Sequence, residues 1–220
     1  PDRLHARTIG GVTSRKKAGF IVGAGVGVAA ATALRRRWRG RSDVSAPPTP
    51  TQPGSDDAAA ARFVVNLSAA VRLPTVSSID GVDAGVFGEF RAMLERTYPL
   101  VHTRLNREAI GTHTLLFTWM GSDPAAGATL LMAHQDVVPV EPGTEPDWEH
   151  PPFSGAVVDG HLWGRGAMDD KASLIGILEA VEALLSEGFT PGPTMYVLLG
   201  HDEEVGGERG AGAVAARFGE

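Results

Sequence analysis

Residues 170–188, DKASLIGILEAVEALLSEG, limit most what this chain folds into. Leu174, Ile177, Leu178, Val181, Leu184 and Leu185 recur at helical spacing and share one face, and Gly188 ends the run. A helix with so wide an apolar face needs a layer to bury against. Its surroundings supply one: THTLLFTWMG at 112–121, GATLLMAHQD at 127–136 and TMYVLLG at 194–200 all read as strands. Two further helices are expected upstream, at 58–73 and 86–101, and another begins in ERGAGAVAARFGE at 208–220. AVVDGHLWG at 156–164 reads as a hairpin, because Asp159-Gly160 between apolar runs favours a type I′ turn. Strands alternating with helices imply an α/β domain, a layered open sheet with flanking helices. No internal repeat is present.

The strand at 127–136 ends in His134 and Asp136, two residues apart. Side chains at that spacing point the same way if strand geometry continues. The C-terminal strand ends of an open α/β sheet are where ligands bind. A metal-bound imidazole needs an acceptor for its other nitrogen, and a nearby carboxylate provides one. A His-x-Asp pair alone is also an ordinary surface pair, but two more acidic clusters occupy equivalent places. Asp169 and Asp170 stand at the mouth of the 170–188 helix after a glycine-rich turn, where helix capping is the plainer use. Asp202, Glu203 and Glu204 follow the strand at 194–200 directly. Three acidic clusters at element ends repel one another unless divalent cations neutralise them.

Charge and cysteine content narrow the chemistry. Residues 1–41 hold ten of the twenty Lys and Arg and one acid, while the remainder carries ten bases and twenty-five acids. The acidic body argues against nucleic acid, whose binding relies on phosphate neutralisation. With no cysteine in the chain, any metal must be held by His and carboxylates.

The basic N-terminal part contains an uncharged run, AGFIVGAGVGVAAATAL at 18–34, with five Lys or Arg on each side. It reads as a membrane anchor, as an export signal with a small-residue cleavage site near Ala31–Ala33, or as a Gly/Ala-rich soluble helix. Equal flanking charge gives no orientation. Residues 42–57, rich in Pro, Ser and Asp, read as a disordered linker. The expected organisation is therefore a basic-flanked anchor or export signal at 1–41, a linker at 42–57 and a catalytic domain at 58–220. The chain is expected to be membrane-anchored or exported, and its oligomeric state is not legible.

YPLVH, GSDP, LLMAHQDVVPV, PPFSG, DGHLWGRGAMDDKASLIGILEA and GHDEEVGG occur in an order that resembles the dizinc aminoacylase and glutamate-carboxypeptidase family of metallopeptidases. The resemblance is nearest to its carboxypeptidase S and N-fatty-acyl-amino-acid synthase/hydrolase branch, and it runs from about residue 58 to the end. It implies the first half of a dizinc peptidase catalytic domain that binds two Zn2+. It implies His134 as a ligand of one zinc and Asp136 as the partner that orients it. It implies Asp169 as the bridge between the metals, with a cis bond to Asp170, Glu204 as a ligand of the second zinc, and Glu203 as general base. The implied reaction is hydrolysis of an amide next to a free C-terminal amino acid, in a small peptide or an N-acyl amino acid. The family's pattern calls for a further Asp and His as ligands, and the sequence stops sixteen residues after Glu204. The expectation is an N-terminal portion of a longer enzyme, inactive alone, with an exposed sheet edge. The alternative is a truncated, membrane-tethered relative without catalysis that binds metal weakly.

His102, His113, His150 and His161 are expected at surface or turn positions. Trp148, Pro152 and Phe153 are expected to shape a loop near the site, and Trp163 to pack in its hairpin.

Overall fold

The computed structural model describes residues 53–219. The segments read as anchor and most of the linker lie outside them. Helix α1, Pro53–Val71, begins inside the stretch expected to be linker. Asp83 starts α2, Ala84–Thr97, its carboxylate accepting from the backbone N–H groups of Gly85 at 2.8 Å and Val86 at 3.2 Å. A short α3 follows at Pro99–Arg104, then α4 at Lys171–Ser186 and α5 at Ala211–Phe218. Glu182 of α4 caps α3, accepting from Leu100 N at 3.0 Å and Val101 N at 2.9 Å.

Two miniature strands, β1 at Ser77–Ser78 and β2 at Gly81–Val82, pair with each other. The main sheet contains β3 (Asn106–Ile110), β4 (Thr114–Trp119), β5 (Ala128–His134) and β8 (Thr194–Gly200), in the order β3-β4-β8-β5. The β3–β4 and β4–β8 pairs are antiparallel and the β8–β5 pair is parallel, so the sheet is mixed and open. The hairpin expected at 156–164 is β6 (Ala156–Val158) with β7 (His161–Trp163). Positive φ at Asp159 (51°) and Gly160 (78°) is the backbone a type I′ turn requires.

Period-two alternation explains the core. Leu115, Phe117 and Trp119 of β4, with Val197 and Leu199 of β8, face α1–α4 and join Phe90, Leu94, Leu174, Ile175 and Leu178 in one buried cluster. Leu116 and Leu198 face the other way and pack on Val214 of α5. Strands buried on both faces need near-continuous apolar sequence, which is how 194–200 reads. β3 escaped the sequence reading because NREAI is polar and half exposed. β5 pairs only with β8, and its Leu130 and Met132 remain 44% and 53% exposed, an apolar edge among the described residues. No helix among the described residues is long and apolar enough to cross a membrane.

Lys171, at the start of α4, is fully buried. Its Nζ donates to the carbonyls of Ala70 at 2.9 Å and Leu73 at 2.6 Å, at and just beyond the end of α1, and lies 5.1 Å from the Phe90 ring centroid. Burial pulls its pKa down to about 7.

Candidate metal centre

Parallel register builds the site. His134 pairs with Gly200, so the two strands finish on the same rim, and Glu203 and Glu204 follow on the next turn, Glu203–Val205. Asp169 reaches that rim from the loop before α4. The loop turns tightly at Gly166, whose φ is +80°; a Cβ there collides with Val137.

His134 is 7% exposed. Its Nδ1 faces Asp136, 3.0 Å from the backbone oxygen and 3.3 Å from Oδ1. Its Nε2 is thereby left toward the rim, 3.1 Å from Asp169 Oδ1 and 3.8 Å from Glu203 Oε2. Ligand atoms of His134, Glu203 and Glu204 lie within 4.8 Å of one another. The Asp169 and Glu203 side chains are 81% and 61% exposed, so the acidic side of the rim is open. Asp169 and Glu204 line one groove together. The Asp169–Asp170 peptide is cis, as the resemblance implied. Asp170 occupies the N-cap position of α4 without a side-chain capping bond, so capping does not account for the acidic pair.

Asp136 does more than orient His134. Its carboxylate is fully buried and accepts from Ser77 Oγ at 2.6 Å, Glu203 N at 3.2 Å and Glu204 N at 3.1 Å. It therefore ties the histidine strand, the β1 turn and the acidic turn into one unit. Burial opposes its charge, but the bonds from His134, Ser77 and the Glu204 amide hold its pKa below the usual carboxylate value. Burial likewise opposes a charged His134, yet Asp136 and Asp169 push its pKa up to about 9. Burial and the charges of Asp169, Asp136 and Glu203 raise Glu204, against the pull of His134. Such crowded negative charge around one imidazole nitrogen is the field a divalent cation reverses. One nitrogen and several carboxylate oxygens, without thiolates, form a donor set that suits such a cation.

The acidic triplet divides. Asp202 is 2% exposed and turns into the fold, where Oδ2 accepts from Arg209 N at 2.7 Å and its backbone oxygen accepts from Gly207 N at 2.7 Å. His201 is buried behind it, with Nδ1 2.6 Å from Thr114 Oγ1. His113, expected at a surface or turn position, is instead buried: the turn folds inward to stack on Phe87 at 5.0 Å and meets His201 edge-on at 5.7 Å. His161 is exposed, as expected. His150 packs on Trp163, ring centroids 5.1 Å apart. Sequence reading missed Ser77, because a serine in a two-residue strand carries no periodic signal.

Residues 130–220, which include every residue of this cluster from His134 onward, match the peptidase family M20/M25/M40. That stretch is part of an M20 peptidase domain. The chain is 42% identical to N-fatty-acyl-amino acid synthase/hydrolase PM20D1.1 of Danio rerio, over 68% of its own length and 29% of the relative's. It is 43% identical to carboxypeptidase S of Saccharomyces cerevisiae, over 70% of its length and 28% of the relative's. The chain spans 24% to 37% of the curated relatives it matches. Its fold is shared with human carnosine dipeptidase 1 (TM-score 0.54, 23% identity, covering 70% of this chain and 34% of that one). It is also shared with the M20 family metallo-carboxypeptidase Sso-CP2 of Sulfolobus solfataricus (TM-score 0.52, 22% identity, covering 66% and 31%).

Proposed function

We propose that this M20 chain carries the metal-binding half of a hydrolase that cleaves an amide next to a free C-terminal amino acid, in peptides or N-acyl amino acids. The observation that carries the reading is the convergence of His134 Nε2 with the carboxylates of Asp169, Glu203 and Glu204 on one open rim. The names of the curated relatives support the substrate class.

In this reading His134, Asp169 and Glu204 would be the chain's ligands for two Zn2+. Bound there, the metal supplies Lewis acidity, polarising the amide carbonyl and lowering the pKa of a water. The chain's own residues do the remainder. Asp136 fixes the His134 ring through Nδ1, so that Nε2 is the nitrogen offered. Glu203, exposed and not spent on a structural bond from its carboxylate, takes the proton of the attacking water and delivers it to the departing amine. Asp136 also holds the Glu203 and Glu204 amides, which fixes the turn that carries both carboxylates. Residues 18–34 tether or export the protein; deleting residues 1–41 then moves it from the membrane fraction to the aqueous one, and equal aqueous recovery of both forms rejects the anchor.

The test compares Glu203→Gln with Glu204→Gln in the zinc-loaded full-length protein. Glu203→Gln keeps metal content and loses about 10²–10⁴-fold in turnover on an N-acyl amino acid. Glu204→Gln loses metal and turnover together. The opposite pairing reverses the two roles, and no effect of either change removes the hydrolase reading.

A further inference from the structure

The rim separates two cavities of unequal size. Glu203 lines the smaller, about 150 Å³, together with His134, Met132 and Leu198. Asp169 and Glu204 line the larger, a groove of about 580 Å³ whose other walls include Val138, Trp148, Trp163 and Met168. The β6–β7 hairpin forms part of that wall, because Trp163 is the last residue of β7. Met168 stands 89% exposed at the lip, directly before Asp169. A flexible thioether at the edge of an aromatic groove adapts to apolar chains of different shape. Arg165 is the groove's one cation; its guanidinium lies 5.3 Å from the Trp148 ring and forms no ion pair among the described residues. Its Nε and the Trp163 Nε1 are buried without acceptors.

We infer that this groove seats the acyl side of the substrate, an apolar chain ending in the amide carbonyl, and that Trp163 and Met168 set its preferred length. The assignment rests on the proposed role of Glu203. A general base that passes its proton to the leaving amine must stand beside that amine, so the departing amino acid lies on the Glu203 side. The acyl group then lies across the rim, toward Asp169 and Glu204, where the larger and mostly apolar groove opens. An apolar acyl group comes from either of two sources, a fatty acyl chain or the apolar residue that precedes the scissile bond of a peptide.

The zinc-loaded full-length protein is titrated calorimetrically, and assayed for hydrolysis, with acetyl-, hexanoyl- and lauroyl-glycine and with alanyl- and phenylalanyl-glycine. Acetyl-alanine against acetyl-leucine reports the amino-acid side separately. Affinity rises with acyl length by up to about fourfold per methylene until the groove is filled. Trp163→Ala and Met168→Gln flatten that rise without moving the acetyl-alanine to acetyl-leucine ratio. Met168 is exposed, so its variant folds even if Trp163→Ala does not. A gain confined to lauroyl-glycine identifies a fatty acyl chain, and one confined to phenylalanyl-glycine a peptide residue; either supports the groove. A length dependence that both variants leave intact, or a shift of the amino-acid ratio instead, overturns the assignment while turnover leaves the hydrolase reading standing. No binding of any compound to the unaltered protein overturns both.

Discussion

Replacing Asp136 with asparagine probes the unit that holds the candidate centre together. The substitution keeps size and shape but exchanges one acceptor oxygen for a donor. Oδ1 faces His134 Nδ1 and Glu203 N; Oδ2 faces Ser77 Oγ and Glu204 N. The asparagine amide nitrogen fits best at the Oδ2 position, because a serine hydroxyl can rotate to accept. The Glu204 amide then meets a donor, and one charge-assisted bond in a fully buried setting is lost. Such a bond contributes about 1.5–3 kcal/mol, and removing the charge opposite His134 adds to the loss. Urea unfolding of metal-free protein is expected to show a drop of about 2–4 kcal/mol at unchanged m-value. Release of the acidic turn weakens zinc binding by about 10–100-fold, read by competition with a chelator. Ser77→Ala removes a single neutral donor and costs about 1 kcal/mol. A loss below about 0.5 kcal/mol for Asp136→Asn, with zinc affinity intact, refutes the view that Asp136 links strand, turn and acidic loop.

Other outcomes follow from neighbouring features. Gly210→Ala places a Cβ against Asp202 Oδ1 and 2.9 Å from Thr114 Oγ1, and is expected to destabilise by about 1–3 kcal/mol in a thermal melt. Burial first, and Arg107 second, lower His102 to about 4, with Glu95 opposing them; the ring packs edge-on against Phe117. The unfolded chain then takes up a proton below pH 6.5 before the folded one does, so stability is retained above that pH and falls between 6.5 and about 4. With the ring partly exposed, the loss is about 1–2 kcal/mol, and His102→Phe removes this part of the acid sensitivity.

The legible parts of this chain are those where physics writes a periodic or costly pattern. The 170–188 helix and the 194–200 strand announce themselves through apolar spacing. His134, Asp136, Asp169, Glu203 and Glu204 stand out in the sequence because ionisable groups gather there at the ends of apolar strands and at the mouth of a helix. The β3 strand was illegible because one polar, exposed edge strand carries the composition of a loop. His113 looked like a surface or turn residue, yet it and His201 are buried around Phe87, a contact between segments far apart in sequence. Asp202 shows the same effect: its two acidic neighbours face the rim, while its own backbone twist turns it inward to hold the Arg209 amide.

Lys171 gives the candidate centre its mechanical character. Asp169 lies two residues before a lysine whose Nζ is clasped at the end of α1. The loop carrying Asp169 therefore cannot peel away from the rim by itself without drawing a buried cation from its acceptors. Openings that free this loop have to approach the cost of unfolding the helical layer, rather than the small cost of a surface loop. Amide hydrogen exchange at Lys171 and Leu174, whose N–H groups bond to Gly166 and Asp170, should then track denaturant as global unfolding does, while the exposed 141–147 segment exchanges by local motion. A centre held in this way keeps its geometry through the cooperativity of the fold.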